Sequence, residues 1–350
     1  MLTVLADENI ANLDDYLVHH DIRLIKMAGR DITAKTLATH RPDALFIRSV
    51  TQVAADNLGD LSALPLKFVG SATIGTDHVD GDYLDKFGIS FANAAGCSKH
   101  SVAQYVITAI LYALPQARQT PIRLGIIGLG NIGSTLADYA ARLGWQVSGC
   151  DPFLPPSDIN QADFDGVLTA DVISIHTPLT HSGRHPTAKL FDAATFSKLN
   201  ANALLINTAR GEIIEQTALM HAIANKNLRV VLDVFPHEPT IDADLLNALT
   251  LATPHIAGYT LEGKIRGTDM IYQAFCRHFD LEIHQTLPPL LPDNPYRFDE
   301  LMGKFSLTKL RDYYDIAADF ASLQMVNHQG VTGADFDKLR KNYRLRREWL

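Results

Sequence analysis

Three charged side chains, each in a short motif, are the residues of this 350-residue chain best suited to do chemistry. Arg210 lies in Asn-Thr-Ala-Arg-Gly, Glu238 in Asp-Val-Phe-Pro-His-Glu-Pro and His255 in Pro-His-Ile-Ala-Gly. A histidine can accept a hydroxyl proton near neutral pH, a neighbouring carboxylate favours the imidazolium that forms, and a guanidinium can hold a carboxylate through two hydrogen bonds. Together such groups could remove the hydroxyl proton of a 2-hydroxy acid while the same carbon loses a hydride.

Each motif has a plainer interpretation when it is taken alone. A histidine after Thr-Pro is more often an ordinary loop residue, Arg210 with Gly211 could form a helix-start turn, and Glu238 could face solvent. All three, however, follow predicted strands of one sheet. Ligands bind at the carboxyl edge of open parallel sheets, so their shared position predicts a catalytic site.

The elements that must position these residues form two series of alternating strands and helices. Short apolar runs predict first-series strands at 2–5, 23–27, 44–47, 67–70 and 89–92. Second-series strands are predicted at 123–127, 146–150, 172–176, 203–207, 230–234 and 250–252. One long helix is expected over 98–118, between the two series, and another over 262–280. This order of elements is typical of α/β domains with parallel sheets.

A glycine-rich loop opens the second series and predicts a dinucleotide site. Gly128, Gly130 and Gly133 form Gly-x-Gly-x-x-Gly between a predicted strand and a predicted helix, the context in which this pattern binds a pyrophosphate. Asp151 ends the next strand, where an acid can bind the ribose hydroxyls and repel a 2′-phosphate. NAD is therefore favoured over NADP. The alternative is a glycine turn with a structural aspartate in a strand-ending Asp-Pro turn.

The composition of the chain argues against a nucleic-acid-binding or a membrane-spanning protein. The net charge of −8 gives no basic footprint for nucleic acid, and no apolar run reaches the about 18 residues of a membrane span. The three cysteines are not at metal or disulfide-motif spacing, and the first residues are not typical of a signal peptide. We therefore predict a cytoplasmic protein without a metal site that binds neither nucleic acid nor a membrane.

The motifs around the glycine loop, Arg210, Glu238 and His255 together resemble the D-isomer-specific 2-hydroxyacid dehydrogenases over most of residues 40–285. We accordingly predict an α/β fold with two Rossmann-like or flavodoxin-like parallel-sheet domains plus a small C-terminal α+β dimerisation domain. The predicted domains are a substrate-binding domain (1–95 with 260–285), an NAD-binding domain (96–259) and the dimerisation domain (286–350). A proline-rich stretch over 286–298 is expected to link the last of these.

Four further segments resemble the branch of that family that acts on 4-phospho-D-erythronate. They are residues 48–51, 76–80 and 94–97 and the tail at 336–349. This resemblance implies NAD-dependent oxidation of 4-phospho-D-erythronate to 2-oxo-3-hydroxy-4-phosphobutanoate, a step toward pyridoxal phosphate. It also implies a homodimer formed through the tail.

The resemblance further implies a role for individual residues. Arg210, Glu238 and His255 would be catalytic, with His255 exchanging the proton. Substrate contacts would come from Ser49, Thr73, Arg210 and Tyr259. Contacts to NAD would come from Gly128, Gly130, Asn131, Ile132, Gly133, Asp151, Thr177, Thr208, Ala209, Asp233 and Gly258, with the nicotinamide near Asp233.

The sequence is compatible with other functions as well. Within the family, the substrate could be 3-phosphoglycerate, glycerate or lactate. In another class of function, the chain could sense NAD as a co-regulator without turnover. The basic residues of the tail are either a solvated helix face or, for Arg346 and Arg347, ligands of the substrate phosphate.

Overall fold

The computed structural model describes residues 1–155, 159–303 and 305–349, which fold as two compact units. The first unit comprises residues 1–98 and 261–294, and the second comprises residues 99–260 and 295–350. The chain thus leaves the first unit after Ser98, returns to it after Thr260 and leaves it again after Asn294. The tail is grouped with the second unit.

The strands and helices alternate through most of the chain. The strands are β1 Leu2–Asp7, β2 Ile22–Met27, β3 Ala44–Ile47, β4 Phe68–Ser71, β5 Ser90–Asn93, β6 Arg123–Ile127, β7 Gln146–Cys150, β8 Val172–Ile175, β9 Leu204–Asn207, β10 Arg229–Leu232 and β11 Leu251–Ala252. The helices are α1 Leu13–Leu17, α2 Ala34–His40, α3 Ala55–Leu58, α4 Gly81–Lys86, α5 Lys99–Ala113, α6 Asn131–Arg142, α7 Phe164–Val167, α8 Ala193–Lys198, α9 Gln216–Lys226, α10 Ala243–Ala248, α11 Leu261–His278, α12 Phe298–Gly303, α13 Leu307–Tyr313, α14 Ile316–Met325 and α15 Gly333–Lys341.

The first unit contains a five-stranded parallel sheet in the order β2-β1-β3-β4-β5, the flavodoxin-like order. Its central strands β3 and β4 are buried along their whole length, as expected for a sheet that helices cover on both faces. Helix α11 covers one face because Ile265, Ile271, Tyr272 and Phe275 recur on one side of it and are buried.

The second unit contains a six-stranded parallel sheet in the order β11-β10-β9-β8-β6-β7. The order reverses beside β6, so the glycine-rich loop that follows this strand lies at the topological switch point, where α/β sheets bind ligands. Helix α5 is buried from Ser101 to Leu111 and serves as a core helix of this unit. The two parallel sheets confirm the predicted α/β fold.

The long helix predicted over 98–118 is shorter than expected. Helix α5 ends at Ala113, and the chain continues as a 3₁₀ turn over Pro115–Arg118. The reason is Pro115, which has no N–H to donate and disfavours helical geometry at the residue before it. Leu114 accordingly has φ −133° and ψ 72°.

The tail was predicted to be α+β, and its regular structure in the described residues consists of a 3₁₀ turn over Pro288–Leu290 and the four helices α12 to α15. Its β pairing is limited to two single bridges, Val331 with Ile241 and Arg346 with Thr260. The first cannot extend because Val331 stands between Gly330, at φ +101°, and the N-cap of α15. The helices pack onto the core of the second unit through Phe298, Leu301, Tyr314 and Ile316.

Within the described residues, no helix combines the length and the apolar character that crossing a bilayer requires. In the same part of the chain, no three His, Cys, Asp or Glu side chains are grouped so that they could hold a metal ion.

Candidate active site

Three neighbouring strands of the second unit end at the same edge of its sheet. Strands β9, β10 and β11 pair in parallel, with Asn207 opposite Leu232 and Leu232 opposite Ala252. The loops that leave these ends carry Arg210, Glu238 and His255 respectively. The topology therefore brings the loops of the three predicted catalytic residues to one rim.

His255 and Glu238 form a direct pair on this rim. His255 Nδ1 lies 2.7 Å from Glu238 Oε2, and the backbone N–H of Phe235 donates to the other carboxylate oxygen at 2.8 Å. The side chains of His255 and Glu238 are 33% and 23% exposed, so solvent reaches the pair. Because Glu238 engages Nδ1, the ring nitrogen left to meet a substrate is Nε2.

The environment of Glu238 stabilises its ionised form. Burial acts to raise the pKa of the Glu238 carboxyl, but the charge and hydrogen bond of His255 and the N–H of Phe235 outweigh it. The pKa of Glu238 is therefore lowered overall. At neutral pH the pair thus has an ionised carboxylate beside the imidazole, as needed to stabilise an imidazolium.

The substitution Glu238→Gln should destabilise the protein at neutral pH and have a smaller effect in acid. A carboxyl whose pKa falls on folding stabilises the native state above its unfolded pKa of about 4.3, and this contribution is lost as the pH falls through the lower folded pKa. Urea unfolding of both proteins between about pH 3 and 7 measures the difference. The exposed Glu282→Gln is the matched control, and a pH-independent difference for Glu238→Gln would contradict this explanation.

Hydrogen bonds to the buried Asp233 carboxylate hold the turn that carries His255 in place. The Asp233 carboxylate accepts hydrogen bonds from the N–H of Ile256 at 2.8 Å, the N–H of Ala257 at 2.9 Å and the hydroxyl of Thr253 at 2.6 Å. Asp233 is 1% exposed, and burial raises its pKa to about 6 against the pull of His255 and these donors. The structure thus gives Asp233 a structural task that the sequence did not indicate, and its predicted contact with the nicotinamide stays a prediction.

The loop of Arg210 is packed directly against the loop of Glu238. Any side chain at Gly211 would overlap the backbone of Phe235 and Pro236, so this close approach requires glycine. Asn207 fixes the loop by donating to the carbonyl of Arg210 at 2.8 Å and accepting from the N–H of Ala209 at 2.9 Å. The guanidinium of Arg210 also donates to the carbonyl of Ala209 at 2.7 Å, which orients it.

The glycine-rich loop has the geometry of a phosphate cradle. Gly128 has φ +90°, and a side chain at Gly133 would overlap the carbonyl of Gly128, so the protein itself requires glycine at both positions. Gly130 is different, because its φ of −66° suits any residue and a Cβ there would meet no atom within 4 Å. Glycine at this position instead leaves room for a ligand at the start of α6, beside Asn131 and Ile132.

Other residues along this rim also fit a dinucleotide. Asp151 accepts the N–H of Leu129, in the glycine loop, at 2.9 Å and the N–H of Phe153 at 3.0 Å, which fixes its carboxylate beside the loop. The hydroxyls of Thr177 and Thr208, just beyond β8 and β9, are buried without a partner among the described residues. Because buried hydroxyls nearly always have hydrogen-bond partners, both are suited to a polar ligand that lies along the strand ends.

The remaining predicted site residues divide between the two units. In the second unit, Gly258 and Tyr259 follow the His255 turn, and the hydroxyl of Tyr259 accepts from Arg340 at 2.9 Å. In the first unit, Ser49 and Thr73 follow the adjacent strands β3 and β4 at the carboxyl edge of that sheet. The hydroxyl of Thr73 is hydrogen-bonded to the hydroxyl of Ser71 at 2.7 Å.

Sequence reasoning missed the part of the tail that reaches this site. Arg346 was considered as a ligand of the substrate phosphate, and this hypothesis is wrong for Arg346, because its guanidinium donates to backbone carbonyls of the His255 turn. Arg340 contacts Tyr259 rather than only solvent. No local pattern reveals either contact, since each joins residues more than 80 positions apart.

The chain is similar to several known proteins. The family model of the D-isomer specific 2-hydroxyacid dehydrogenase NAD-binding domain matches residues 113–257. An erythronate-4-phosphate dehydrogenase of a Psychrobacter species is 52% identical, with all of both chains covered. The enzyme of the same name from Acinetobacter baylyi is 47% identical, with 99% of this chain and 98% of that protein covered.

Solved structures share the fold at lower identity. D-lactate dehydrogenase from Aquifex aeolicus, complexed with NAD and lactic acid, superposes with a TM-score of 0.65 at 22% identity, covering 79% of this chain and 95% of that one. NAD-bound 3-phosphoglycerate dehydrogenase from Entamoeba histolytica gives a TM-score of 0.67 at 20% identity, covering 82% and 97%.

Proposed function

Because the chain belongs to the erythronate-4-phosphate dehydrogenases, within the D-isomer specific 2-hydroxyacid dehydrogenase family, we propose that it oxidises 4-phospho-D-erythronate. The product is 2-oxo-3-hydroxy-4-phosphobutanoate, and the reaction also yields NADH and a proton. The step belongs to pyridoxal phosphate (vitamin B6) biosynthesis. The observation that carries this function is the 2.7 Å pair of His255 and Glu238 on the rim that also bears Arg210.

In this proposal His255 is the base. Its Nε2 accepts the proton of the substrate C2 hydroxyl as the C2–H bond breaks, and the electron pair of the O–H bond forms the new carbonyl. Glu238 keeps Nδ1 protonated and stabilises the imidazolium that results. When bound, NAD supplies the acceptor for the hydride that leaves C2. His255 then returns its proton to solvent.

Arg210 holds the substrate in this proposal. Its planar guanidinium can donate two parallel hydrogen bonds to the substrate carboxylate, which fixes C2 relative to His255. Tyr259 lies four residues beyond His255, and its hydroxyl accepts a hydrogen bond from Arg340 at 2.9 Å; its contact with substrate stays a prediction from the family resemblance. The contacts of Ser49 and Thr73 with substrate stay predictions from the family resemblance.

The described residues can hold NAD along the strand ends of the second unit. The amides at the start of α6 would bind the pyrophosphate, and Asp151 would bind the adenosine ribose hydroxyls. Thr177 and Thr208 would donate their partnerless hydroxyls to the same ligand.

The substitution Asp151→Ala should relax the preference for NAD over NADP. The carboxylate accepts ribose hydroxyls but repels a 2′-phosphate, so its removal should lower kcat/KM with NAD and raise the ratio of NADP to NAD activity. Steady-state kinetics with both cofactors measure this ratio, with the exposed Asp56→Ala as control. An unchanged ratio would show that Asp151 does not select the cofactor.

Direct assay of the purified protein tests the proposed function. With NAD, kcat/KM should be higher for 4-phospho-D-erythronate than for 3-phosphoglycerate, glycerate or D-lactate. A preference for one of these other acids would assign the chain a different substrate within the family. NAD binding without turnover of any of them would instead favour a sensor of the dinucleotide.

Two further properties are part of this proposal. We infer that the chain acts in the cytoplasm, as its three free cysteines and its role in coenzyme synthesis favour. We also infer a homodimer formed through the tail, as the family resemblance implies. Light scattering should then give a mass close to twice the 38.5 kDa of one chain, and a mass of one chain would reject the dimer.

A further inference from the structure

The end of the tail makes an extensive set of hydrogen bonds to the turn that carries His255. Arg346 Nη1 donates to the carbonyl of Ile256 at 2.9 Å and approaches that of Tyr259 at 3.5 Å. Its other terminal nitrogen, Nη2, donates to the carbonyl of Ala257 and, at 3.2 Å, to that of Ser101 in α5. The guanidinium of Arg346 therefore links two consecutive carbonyls of the turn that carries His255 to the core helix α5.

This arrangement complements the contacts of Asp233. The N–H groups of Ile256 and Ala257 donate to the Asp233 carboxylate, and the carbonyls of the same two residues accept from Arg346. The Asp233 carboxylate thus binds the N–H groups of the turn, and the Arg346 guanidinium binds its carbonyl groups. His255 itself has φ 55°, a left-handed conformation that is sparsely populated outside glycine and persists where its surroundings enforce it.

Arg346 also contacts two tyrosines. Its guanidinium carbon lies 4.5 Å from the centre of the Tyr314 ring, and its Nη1 donates to the hydroxyl of Tyr343 at 3.3 Å. The residues that follow anchor the chain end. Glu348 accepts from Ser101 at 2.8 Å, and Trp349, which is 1% exposed, exchanges two backbone hydrogen bonds with the side chain of Gln104.

We propose that Arg346 is a positioning residue for His255, so that the tail completes the catalytic rim of its own chain. Arg346 touches no reacting atom in this account. It acts by fixing the backbone turn from which His255 reaches Glu238 and the substrate. The proposal rests on the proposed function for its kinetic consequences, whereas its geometric consequence, the position of His255, is independent of substrate.

The kinetic test compares Arg346→Ala with the matched control Arg344→Ala, whose side chain is exposed in the same tail segment. Displacing a catalytic group by about 1 Å can cost about 100-fold in rate, and we expect a loss of this order in kcat for Arg346→Ala. The Kd for NADH should change far less than kcat, because the glycine loop and Asp151 are untouched, although Gly258, a predicted NAD contact, lies in the turn that moves. Arg344→Ala should match the parent in both measurements.

Chemical rescue and one further variant separate positioning from loss of folding. Guanidinium ion added to Arg346→Ala should restore part of kcat, and the same addition should not raise kcat of the parent or of Arg344→Ala. Arg346→Lys keeps the charge but cannot donate from two nitrogens, so its kcat should fall between those of the parent and Arg346→Ala. If Arg346→Ala does not fold, the same measurements of kcat and NADH affinity on Arg346→Lys test the positioning role of Arg346.

A crystal structure of Arg346→Ala shows the position of His255 without any measurement of turnover. We expect the turn at 255–259 to move and the Nδ1–Oε2 hydrogen bond between His255 and Glu238 to be lost. An unchanged pair, a parental kcat, or a loss of NADH affinity equal to the loss of kcat would overturn the proposal. Absence of turnover in the parent would reject the proposed function alone, since the geometric result would still decide the role of Arg346.

Discussion

Replacing His255 with alanine is expected to lower kcat by about 10²- to 10⁴-fold, the usual contribution of a positioned general base. The ring is the group on this rim that can accept the hydroxyl proton at its Nε2, because its Nδ1 is engaged by Glu238 at 2.7 Å. Affinity for NADH should change little, since the glycine loop and Asp151 lie on other strands. Steady-state turnover and fluorescence titration with NADH measure the two quantities.

The control for this substitution is His181→Ala. His181 is exposed in the loop after β8, and the substitution should leave both kcat and NADH affinity at parental values. A turnover of His255→Ala within a few-fold of the parent would exclude base catalysis by this ring.

Replacing Arg210 with methionine is also expected to lower kcat/KM strongly. Removing the guanidinium leaves the substrate carboxylate without its partner, which for a buried charge pair costs about 2–5 kcal/mol, so kcat/KM should fall by roughly 30- to 4,000-fold. Arg210→Lys should recover only part of this loss, because an ammonium cannot form the bidentate fork. Steady-state kinetics with the phosphorylated hydroxy acid give both values.

Arg184→Met provides the matched control, because Arg184 is exposed in the loop that also contains His181. Its kcat/KM should equal that of the parent. If Arg210→Lys is as active as the parent, the guanidinium fork has no special role and Arg210 acts only as a positive charge.

The fold could be predicted closely because its strands are short, apolar and regularly spaced. The predicted strands at 44–47, 123–127 and 146–150 coincide with β3, β6 and β7, and the others differ at their ends by at most two residues. The family membership predicted from the motifs was also confirmed. The end of α5 was misplaced because the apolar pattern continues past Ala113, whereas Pro115 stops the helix.

The candidate site could be predicted only where its residues stand at strand ends. Arg210, Glu238 and His255 each follow a strand, and parallel pairing then places their loops on one edge. Arg346 could not be found in this way, since it lies 90 positions from Ile256 in the chain and contacts it through tertiary packing of the tail. Asp233 was named from its strand end as an NAD contact, but its hydrogen bonds to the turn that carries His255 could not be predicted, because they depend on tertiary packing.

A crystal structure of the dead-end complex with NADH and 4-phospho-D-erythronate would show directly whether His255 faces the reacting carbon. Nε2 of His255 should lie within hydrogen-bond distance of the C2 oxygen, with Arg210 on the substrate carboxylate and the nicotinamide against C2. A bound substrate whose C2 hydroxyl faces neither His255 nor the nicotinamide would contradict this account.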